Sequence, residues 1–167
     1  MKNRDSEYLE ELVSIIRKLK APDGCPWDRE QTSRSLLPYL IEEVYEVVEA
    51  VELDNFDLLK EELGDLLLHV IFQAELASDK KQFSLQDSIK CISEKLIKRH
   101  PNIFSENKVS NKNEDVKWEI QKQKEKKRDH LLDGVPINLP ALIRSQRLQE
   151  KAASVGFDWK NLEAVIE

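Results

Sequence analysis

The chain has 167 residues, of which 40% are hydrophobic and 35% are charged, and it contains only 4 glycines and 6 prolines. This composition is too apolar for a disordered chain and too poor in glycine for a small β protein with many tight turns. The formal net charge of −6 argues against a general electrostatic attraction to nucleic acid. We therefore predict an all-α protein, a bundle of about four to six helices with charged outer faces.

The cysteines and the distribution of apolar residues indicate the compartment. Cys25 and Cys91 are too few for a disulfide framework and too far apart for a zinc motif. The first eleven residues are charged and lack the apolar stretch of a signal peptide. No window approaches the roughly 18 apolar residues of a membrane span. These features predict a cytoplasmic protein that has neither a membrane nor a nucleic acid as its partner.

Hydrophobic periodicity predicts four helices in the first part of the chain. They are a helix through Tyr8 and Leu19 with Asp5 or Ser6 as its cap, one from Leu36 or Pro38 to Leu53, one from Asp57 to Ala77, and one from Ser84 or Asp87 to the stop at His100 and Pro101. The stretch from Cys25 to about Ser35 is predicted to be irregular. The third helix is so apolar at its centre that we expect burial on most of its circumference.

The main helical domain is expected to span residues 1–104. Residues 105–115 are polar and rich in asparagine, which predicts a loop or linker. Residues 116–155 are predicted to form a charged helix, a turn and a further helix. Residues 156–167 then begin a new segment.

Acidic residues crowd the second and third predicted helices. Successive helical residues rotate by about 100°, so side chains three residues apart lie on the same face. Glu43 and Glu46 therefore share a face that borders the apolar side of their helix. Glu62 and Asp65 have the same relation in the next helix. Because two helices with a short connection usually pack antiparallel, we expect the four carboxylates to come together.

Four crowded carboxylates repel one another and lose solvation, so they bind either protons or a hard cation. Mg²⁺ prefers carboxylate oxygen and water, and often bridges a protein to substrate phosphates. The spacing therefore predicts a metal site, with an ordinary solvated acidic face as the open alternative. A di-iron bundle would require Glu-x-x-His on two helices, and the chain has none. His69, four residues after Asp65, fits a core or supporting group better than a ligand.

Five segments carry a recognisable pattern: GCPWDREQT at 24–32, EExxE at 42–46, ExxD at 62–65, KRHP at 98–101 and LPAL at 139–142. In this order they resemble the MazG family of nucleoside triphosphate pyrophosphohydrolases, part of the all-α NTP pyrophosphatase superfamily. The resemblance implies hydrolysis of (d)NTP to (d)NMP and pyrophosphate, which removes unwanted nucleotides, by a homodimer. It also implies Mg²⁺ as the cofactor, with Mn²⁺ as an alternative ion.

The resemblance assigns roles to five acids. Glu43, Glu46, Glu62 and Asp65 fall on the metal-binding positions of the family. Glu42, the first acid of the motif, falls on a position that orients water or a second metal. These five residues form the predicted catalytic set, and the sequence leaves open whether water attacks the α or the β phosphorus.

The candidates for substrate binding are Trp27, Lys95, Lys98, Arg99, His100, Lys117 and Trp118. The basic group before Pro101 suits a polyphosphate; alternatively, its charges favour the helix C-terminus through the macrodipole. Trp27 either stacks on a base or plugs the core, and we prefer the plug. Lys117 and Trp118 are weaker candidates for residues that cover the site.

The chain departs from longer family members, which carry two copies of the acidic helical unit. GFDW at 156–159 is typical of the start of the second copy, so residues 156–167 are expected to begin a truncated second unit. This departure leaves a second hypothesis for function. The chain would then be a non-catalytic module of a longer two-copy protein, one that binds nucleotide or dimerises.

Overall fold

A computed structural model of the chain describes residues 4–104 and 130–159. Every regular element within these ranges is helical, which confirms the predicted all-α class. In chain order the elements are α1 (Arg4–Lys20), α2 (Pro26–Glu30), α3 (Leu37–Glu52), α4 (Phe56–Asp79), α5 (Leu85–Arg99), α6 (Pro101–Phe104), a 3₁₀ helix (Leu131–Gly134) and α7 (Ala141–Ala153). The chain divides into two compact units between residues 93 and 94.

The four helices predicted in the first part of the chain agree with α1, α3, α4 and α5 to within a few residues. Two local predictions are wrong. Asp5 and Ser6 lie inside α1 rather than at its cap, because the described helix already includes Arg4. The stretch predicted to be irregular contains α2, which begins at Pro26. Proline suits the first helical position because its φ is already helical and its missing N–H needs no partner there.

The link between α3 and α4 is tight and has its own stabilising contacts. Asp54 adopts a left-handed backbone with φ of 51°, a conformation that aspartate tolerates better than most residues. Asn55 caps α4, because its side-chain oxygen accepts a hydrogen bond from the backbone N–H of Leu58 at 3.2 Å. The short link folds α4 back along α3, and these two helices form the most extensive helix pair of the described chain.

The buried core of the first unit is small. It consists of Ile16 from α1, Leu36 before α3, and Ile71 and Phe72 from α4. Partly buried residues surround it: Leu9, Leu12, Val13, Leu68, Leu76 and Leu85. These contacts hold α1 and the start of α3 against the middle of α4.

Two ion pairs fasten α1 to the C-terminal half of α4. The Arg17 guanidinium donates two hydrogen bonds to the Glu75 carboxylate, at 2.8 and 2.9 Å. The Lys20 ammonium lies 2.8 Å from an oxygen of Asp79. Glu75 is 6% exposed, so its pairing with Arg17 compensates a carboxylate that has lost its hydration.

One wall of the α3 and α4 pair is apolar and open in the single chain, which contradicts the expected burial of α4 on most of its circumference. The exposed fractions are 51% for Leu63, 41% for Leu67 and 52% for Val70. Side chains of α3 are similarly exposed. We call this set the α3–α4 apolar face: Ile41, Val44, Val48, Val51, Leu63, Leu67 and Val70. Clustered apolar exposure of this kind marks an interaction surface.

In the second unit, the 3₁₀ helix contacts α7. The turn predicted between the two helices of residues 116–155 overlaps this 3₁₀ helix, and the further helix predicted after it corresponds to α7. The predicted loop at 105–115, the charged helix up to residue 129 and the segment after residue 159 lie outside the described residues. Within the described ranges, no helix combines the length and hydrophobicity needed to cross a membrane.

Candidate metal centre

Three carboxylates from two helices converge at the α3 and α4 packing. One oxygen each from Glu43 on α3 and from Glu62 and Asp65 on α4 lies within 4.8 Å of the other two. Glu62 is 8% exposed, and the Glu43 side chain is 20% exposed. The i, i+3 spacing puts Glu62 and Asp65 on one face of α4, and the tight link after α3 brings Glu43 opposite them.

The fourth predicted acid, Glu46, lies beside this group. It shares a hydrogen bond with Glu43 and interacts electrostatically with both Glu43 and Glu62. Its oxygens do not belong to the set of three carboxylate oxygens, from Glu43, Glu62 and Asp65, that lie within 4.8 Å of one another. The structure therefore brings all four predicted ligands together, with three of them in the tighter set.

Within residues 4–104 and 130–159, the group has no lysine or arginine partner that would compensate its negative charge. Burial, the hydrogen bond to Glu46 and the charges of Asp65, Glu46 and Glu62 raise the pKa of Glu43 to about 7. Burial is also the main cause that raises the pKa of Glu62, followed by the charges of neighbouring acids. In the described part of the chain, no lysine or arginine forms an ion pair with any of the four. A bound cation would supply the missing positive charge.

The donor types fit a hard divalent cation such as Mg²⁺, because all three donors are carboxylate oxygens. In an octahedral Mg²⁺ site, where each ligand lies about 2.1 Å from the ion, neighbouring ligands stand about 3 Å apart and opposite ligands about 4.2 Å apart. The oxygens of Glu43, Glu62 and Asp65 lie within 4.8 Å of one another, so side-chain rotations would have to draw them together around an ion. The site therefore passes the test of donor chemistry.

The raised pKa of Glu43 predicts how the stability of the metal-free protein depends on pH. The folded state keeps a proton on Glu43 up to about pH 7, whereas the ordinary pKa of 4.5 applies after unfolding. The free energy of unfolding therefore falls as pH rises through 7. Between pH 6.5 and 8 we expect the wild type to lose about 1 kcal/mol, or roughly 2–4 °C in Tm, relative to the variant Glu43→Gln, both measured in EDTA.

His69 acts in the opposite direction over the lower part of this interval. Burial lowers the pKa of His69, so its contribution to stability rises with pH until the unfolded ring, whose ordinary pKa is 6.5, has lost its proton. Glu43→Gln is the matched variant, because it keeps the His69 contribution and lacks that of Glu43. A metal-free wild type whose Tm does not fall relative to that of Glu43→Gln between pH 6.5 and 8 would contradict the charge crowding at Glu43.

Two aromatic residues that precede the acidic motif of α3 pack against each other. Trp27 of α2 is 51% exposed, so the prediction that it plugs the core is wrong. Its ring packs edge to face on Tyr39 of α3, with 5.8 Å between ring centroids. Tyr39 lies four residues before Glu43, which is one helical turn on the same face. Tyr39 was not among the predicted site residues, although its spacing of four residues from Glu43 indicates a shared helix face.

The other predicted site residues do not belong to the three-carboxylate set. Glu42 is exposed on α3 and does not belong to the three-carboxylate set. Lys95, Lys98 and Arg99 lie in the last turns of α5, in the second unit, where the macrodipole also favours cations. His100 follows them, and its Nδ1 lies 2.8 Å from the carbonyl oxygen of Leu96. The remaining two candidates, Lys117 and Trp118, lie outside the described residues.

Comparison with known proteins adds independent information. The sequence matches the MazG nucleotide pyrophosphohydrolase domain over residues 31–104. It is 48% identical over 160 residues to the nucleoside triphosphate pyrophosphohydrolase/pyrophosphatase MazG of Thermotoga maritima. It is also 42% identical over 164 residues to the nucleoside triphosphate pyrophosphohydrolase of Escherichia coli. Each alignment covers 95% of this chain but only 62% of the relative's length.

A solved structure supports the same relationship. The crystal structure of a mazG-related protein from Thermotoga maritima matches this fold with a TM-score of 0.56 and 33% sequence identity. The match covers 68% of this chain and 98% of that protein. The all-α fold with its carboxylate-lined helix pair is thus the fold of a known class of nucleotide pyrophosphohydrolase domains. This chain belongs to the MazG family, which confirms the resemblance seen in its motifs.

Proposed function

We propose that this chain hydrolyses nucleoside and deoxynucleoside triphosphates to the monophosphate and pyrophosphate, with Mg²⁺ as its cofactor and Mn²⁺ as an alternative ion. The observation that carries this proposal is the set of Glu43, Glu62 and Asp65 oxygens within 4.8 Å of one another. The names of the relatives in Thermotoga maritima and Escherichia coli support it. The role would be removal of unwanted nucleotides from the pool, in the cytoplasm.

In this proposal Glu43, Glu62 and Asp65 hold the metal, and Glu46 completes the ligand set. When bound, Mg²⁺ would neutralise charge on the phosphates and acidify the attacking water. Glu62 is itself shielded from bulk water, since only 8% of it is exposed. A carboxylate that faces the attacking water would take its proton as general base, a role proposed for Glu42 or for an oxygen that the metal leaves free.

We propose two further regions for the substrate. The pair of Trp27 and Tyr39 offers an exposed aromatic surface one turn from Glu43, and stacking on such a surface suits a nucleobase. Arg99 and the cationic residues around it are proposed to bind the polyphosphate, because guanidinium and ammonium groups suit phosphate oxygens. Lys117 and Trp118 remain candidates for covering the bound nucleotide.

The aromatic surface leads to a test of substrate recognition. Trp27→Ala should raise KM for triphosphates about 5- to 100-fold, because one base stack is worth about 1–3 kcal/mol. The value of kcat should change much less, since an indole ring neither binds Mg²⁺ nor takes the proton of the attacking water. Steady-state kinetics with Trp27→Phe, which keeps an aromatic face, provides the matched control. An unchanged KM in Trp27→Ala would remove Trp27 from the proposed nucleotide site.

We also propose that the chain works as a homodimer. The α3–α4 apolar face leaves residues such as Val48 and Leu67 more than two fifths exposed, although they occupy the helices that carry the metal ligands. A second copy packed on this face would remove them from water, which is the main driving force for association. The small core of the first unit supports the same conclusion, because little apolar area is buried within the single chain.

A product assay tests the proposed reaction. The chain is incubated with each common NTP and dNTP, with Mg²⁺ or with EDTA, and the monophosphate, diphosphate, phosphate and pyrophosphate are resolved. We expect monophosphate and pyrophosphate in equal amounts, only with the metal. Release of phosphate and diphosphate would assign a different reaction. Mg²⁺-dependent nucleotide binding without any turnover would favour the alternative, a non-catalytic nucleotide-binding or dimerisation module.

A further inference from the structure

His69 is a buried polar residue of α4 that the proposed reaction does not use. It is 6% exposed, and it follows Asp65 by one helical turn. Its Nε2 lies 3.9 Å from Oε1 of Glu43, so this edge of the ring faces the carboxylate group. Its Nδ1 is buried and has no hydrogen-bond partner among the described residues. Burying a polar ring without hydrogen bonds costs free energy, and packing alone does not offset that cost.

We propose that His69 is a positioning residue of the metal centre, whose Nε2–H holds the Glu43 carboxylate in the orientation that binds the cation. The inference rests on the metal site of the proposed function. Residues that donate hydrogen bonds to metal ligands fix the direction of the ligand lone pairs, and their loss typically weakens metal binding 10- to 100-fold. His69 is the one described histidine that approaches this carboxylate group.

The surroundings of the ring determine which nitrogen carries the proton. Burial lowers the pKa of His69, so the ring is neutral and has one N–H and one lone pair. A proton on Nε2 faces the oxygen of Glu43, which accepts hydrogen bonds. A proton on Nδ1 would have no acceptor and would turn the Nε2 lone pair toward that oxygen. The Nε2–H tautomer is therefore the favourable one.

The distance from His69 to Glu43 requires only a small adjustment. A hydrogen bond from Nε2 needs a separation of about 3 Å, compared with the 3.9 Å observed. Rotation of the Glu43 carboxylate about its side-chain bonds covers this difference. An ionised carboxylate has enough lone pairs to accept from His69 and to bind a cation with its other oxygen.

The geometry also argues against His69 as a direct ligand. Among the described residues, the donor atoms that lie within 4.8 Å of one another come from Glu43, Glu62 and Asp65, and no ring nitrogen of His69 joins them. Mg²⁺ prefers oxygen to imidazole nitrogen. His69 therefore acts through Glu43 rather than on the cation itself.

The test measures Mg²⁺ binding to the full chain by calorimetry, together with the Mg²⁺-dependent shift of Tm, without any substrate. His69→Leu removes the hydrogen-bond donor and replaces the ring with an apolar side chain of similar volume. We expect the Kd for Mg²⁺ to rise about 10- to 100-fold in this variant. His69→Gln supplies an amide N–H close to the position of Nε2 and should restore most of the affinity. Phe72→Leu, a substitution in the core near His69, controls for a general loss of stability.

Each outcome of these measurements supports or overturns the proposed role of His69. Wild-type affinity in His69→Leu would overturn the inference, and equal losses in His69→Leu and His69→Gln would assign the effect to packing and overturn it as well. If the Leu variant does not fold, His69→Asn takes its place, because the Asn amide is too short to reach Glu43. Absence of Mg²⁺ binding in the wild type would overturn the metal site itself, and the inference with it. Binding that is retained in the wild type and in His69→Leu leaves the proposed function standing and removes only the role of His69.

Discussion

Glu62→Gln is expected to lower kcat for pyrophosphate formation by about 10³-fold or more and to abolish the rise of Tm with Mg²⁺. Glutamine keeps the volume of the side chain and removes the charge that binds the cation. Because Glu62 is 8% exposed, water has little room to replace the lost ligand. The metal-free Tm should remain the same or rise, since the ionised form of Glu62 is disfavoured where it stands.

Glu61→Gln provides the matched control for this experiment. It makes the same chemical change in the same helix, but Glu61 is exposed and does not belong to the three-carboxylate set. We expect it to keep the activity and the Mg²⁺ response of the wild type. Full activity in Glu62→Gln, with the reaction still dependent on Mg²⁺, would contradict the assignment of the metal ligands.

Val70→Asp is expected to convert the proposed homodimer to monomers. Val70 is 52% exposed in the single chain, so a carboxylate there costs the monomer little. In a symmetric dimer formed on the α3–α4 apolar face, each copy would place an unpaired charge in a desolvated interface. Burying each charge costs several kcal/mol, which exceeds the free energy that one apolar contact contributes to association. Light scattering after size exclusion should then report 19.5 kDa instead of twice that mass.

The control for this substitution is Gln82→Asp. Gln82 is exposed in the turn between α4 and α5, so the variant adds the same charge at a polar surface and should remain dimeric. Circular dichroism should report the same helix content for both variants. A dimer that survives Val70→Asp would place the interface elsewhere, and a monomeric wild type would remove the homodimer from the proposal.

The helices and the pairing of acids were predictable because both depend on local spacing. The periodicity of Leu and Val residues sets which segments become helical, and the i, i+3 relation of Glu62 and Asp65 follows from helix geometry alone. The short link around Asp54 and Asn55 allowed the further prediction that α4 folds back on α3. The motifs around these acids also indicated the MazG family.

The environment of individual side chains was not predictable in the same way. Trp27 was expected in the core and is half exposed, because its burial depends on what the rest of the chain brings to its loop. The apolar centre of α4 was expected to be covered, yet Leu63 and Val70 remain half exposed in the single chain. Hydrophobic periodicity identifies a face that avoids water, but it does not distinguish cover by the same chain from cover by another.

The sequence by itself therefore determined the fold class, the main helices and the acids that form the candidate site, since these depend on the spacing of residues along each helix. Only the tertiary structure decided that Glu43, Glu62 and Asp65 form the tighter set and that Glu46 stands beside it. It also decided that His69 faces Glu43 across the helix pair. Distances between side chains on different helices depend on how those helices pack, and charge crowding, burial and pKa follow from those distances.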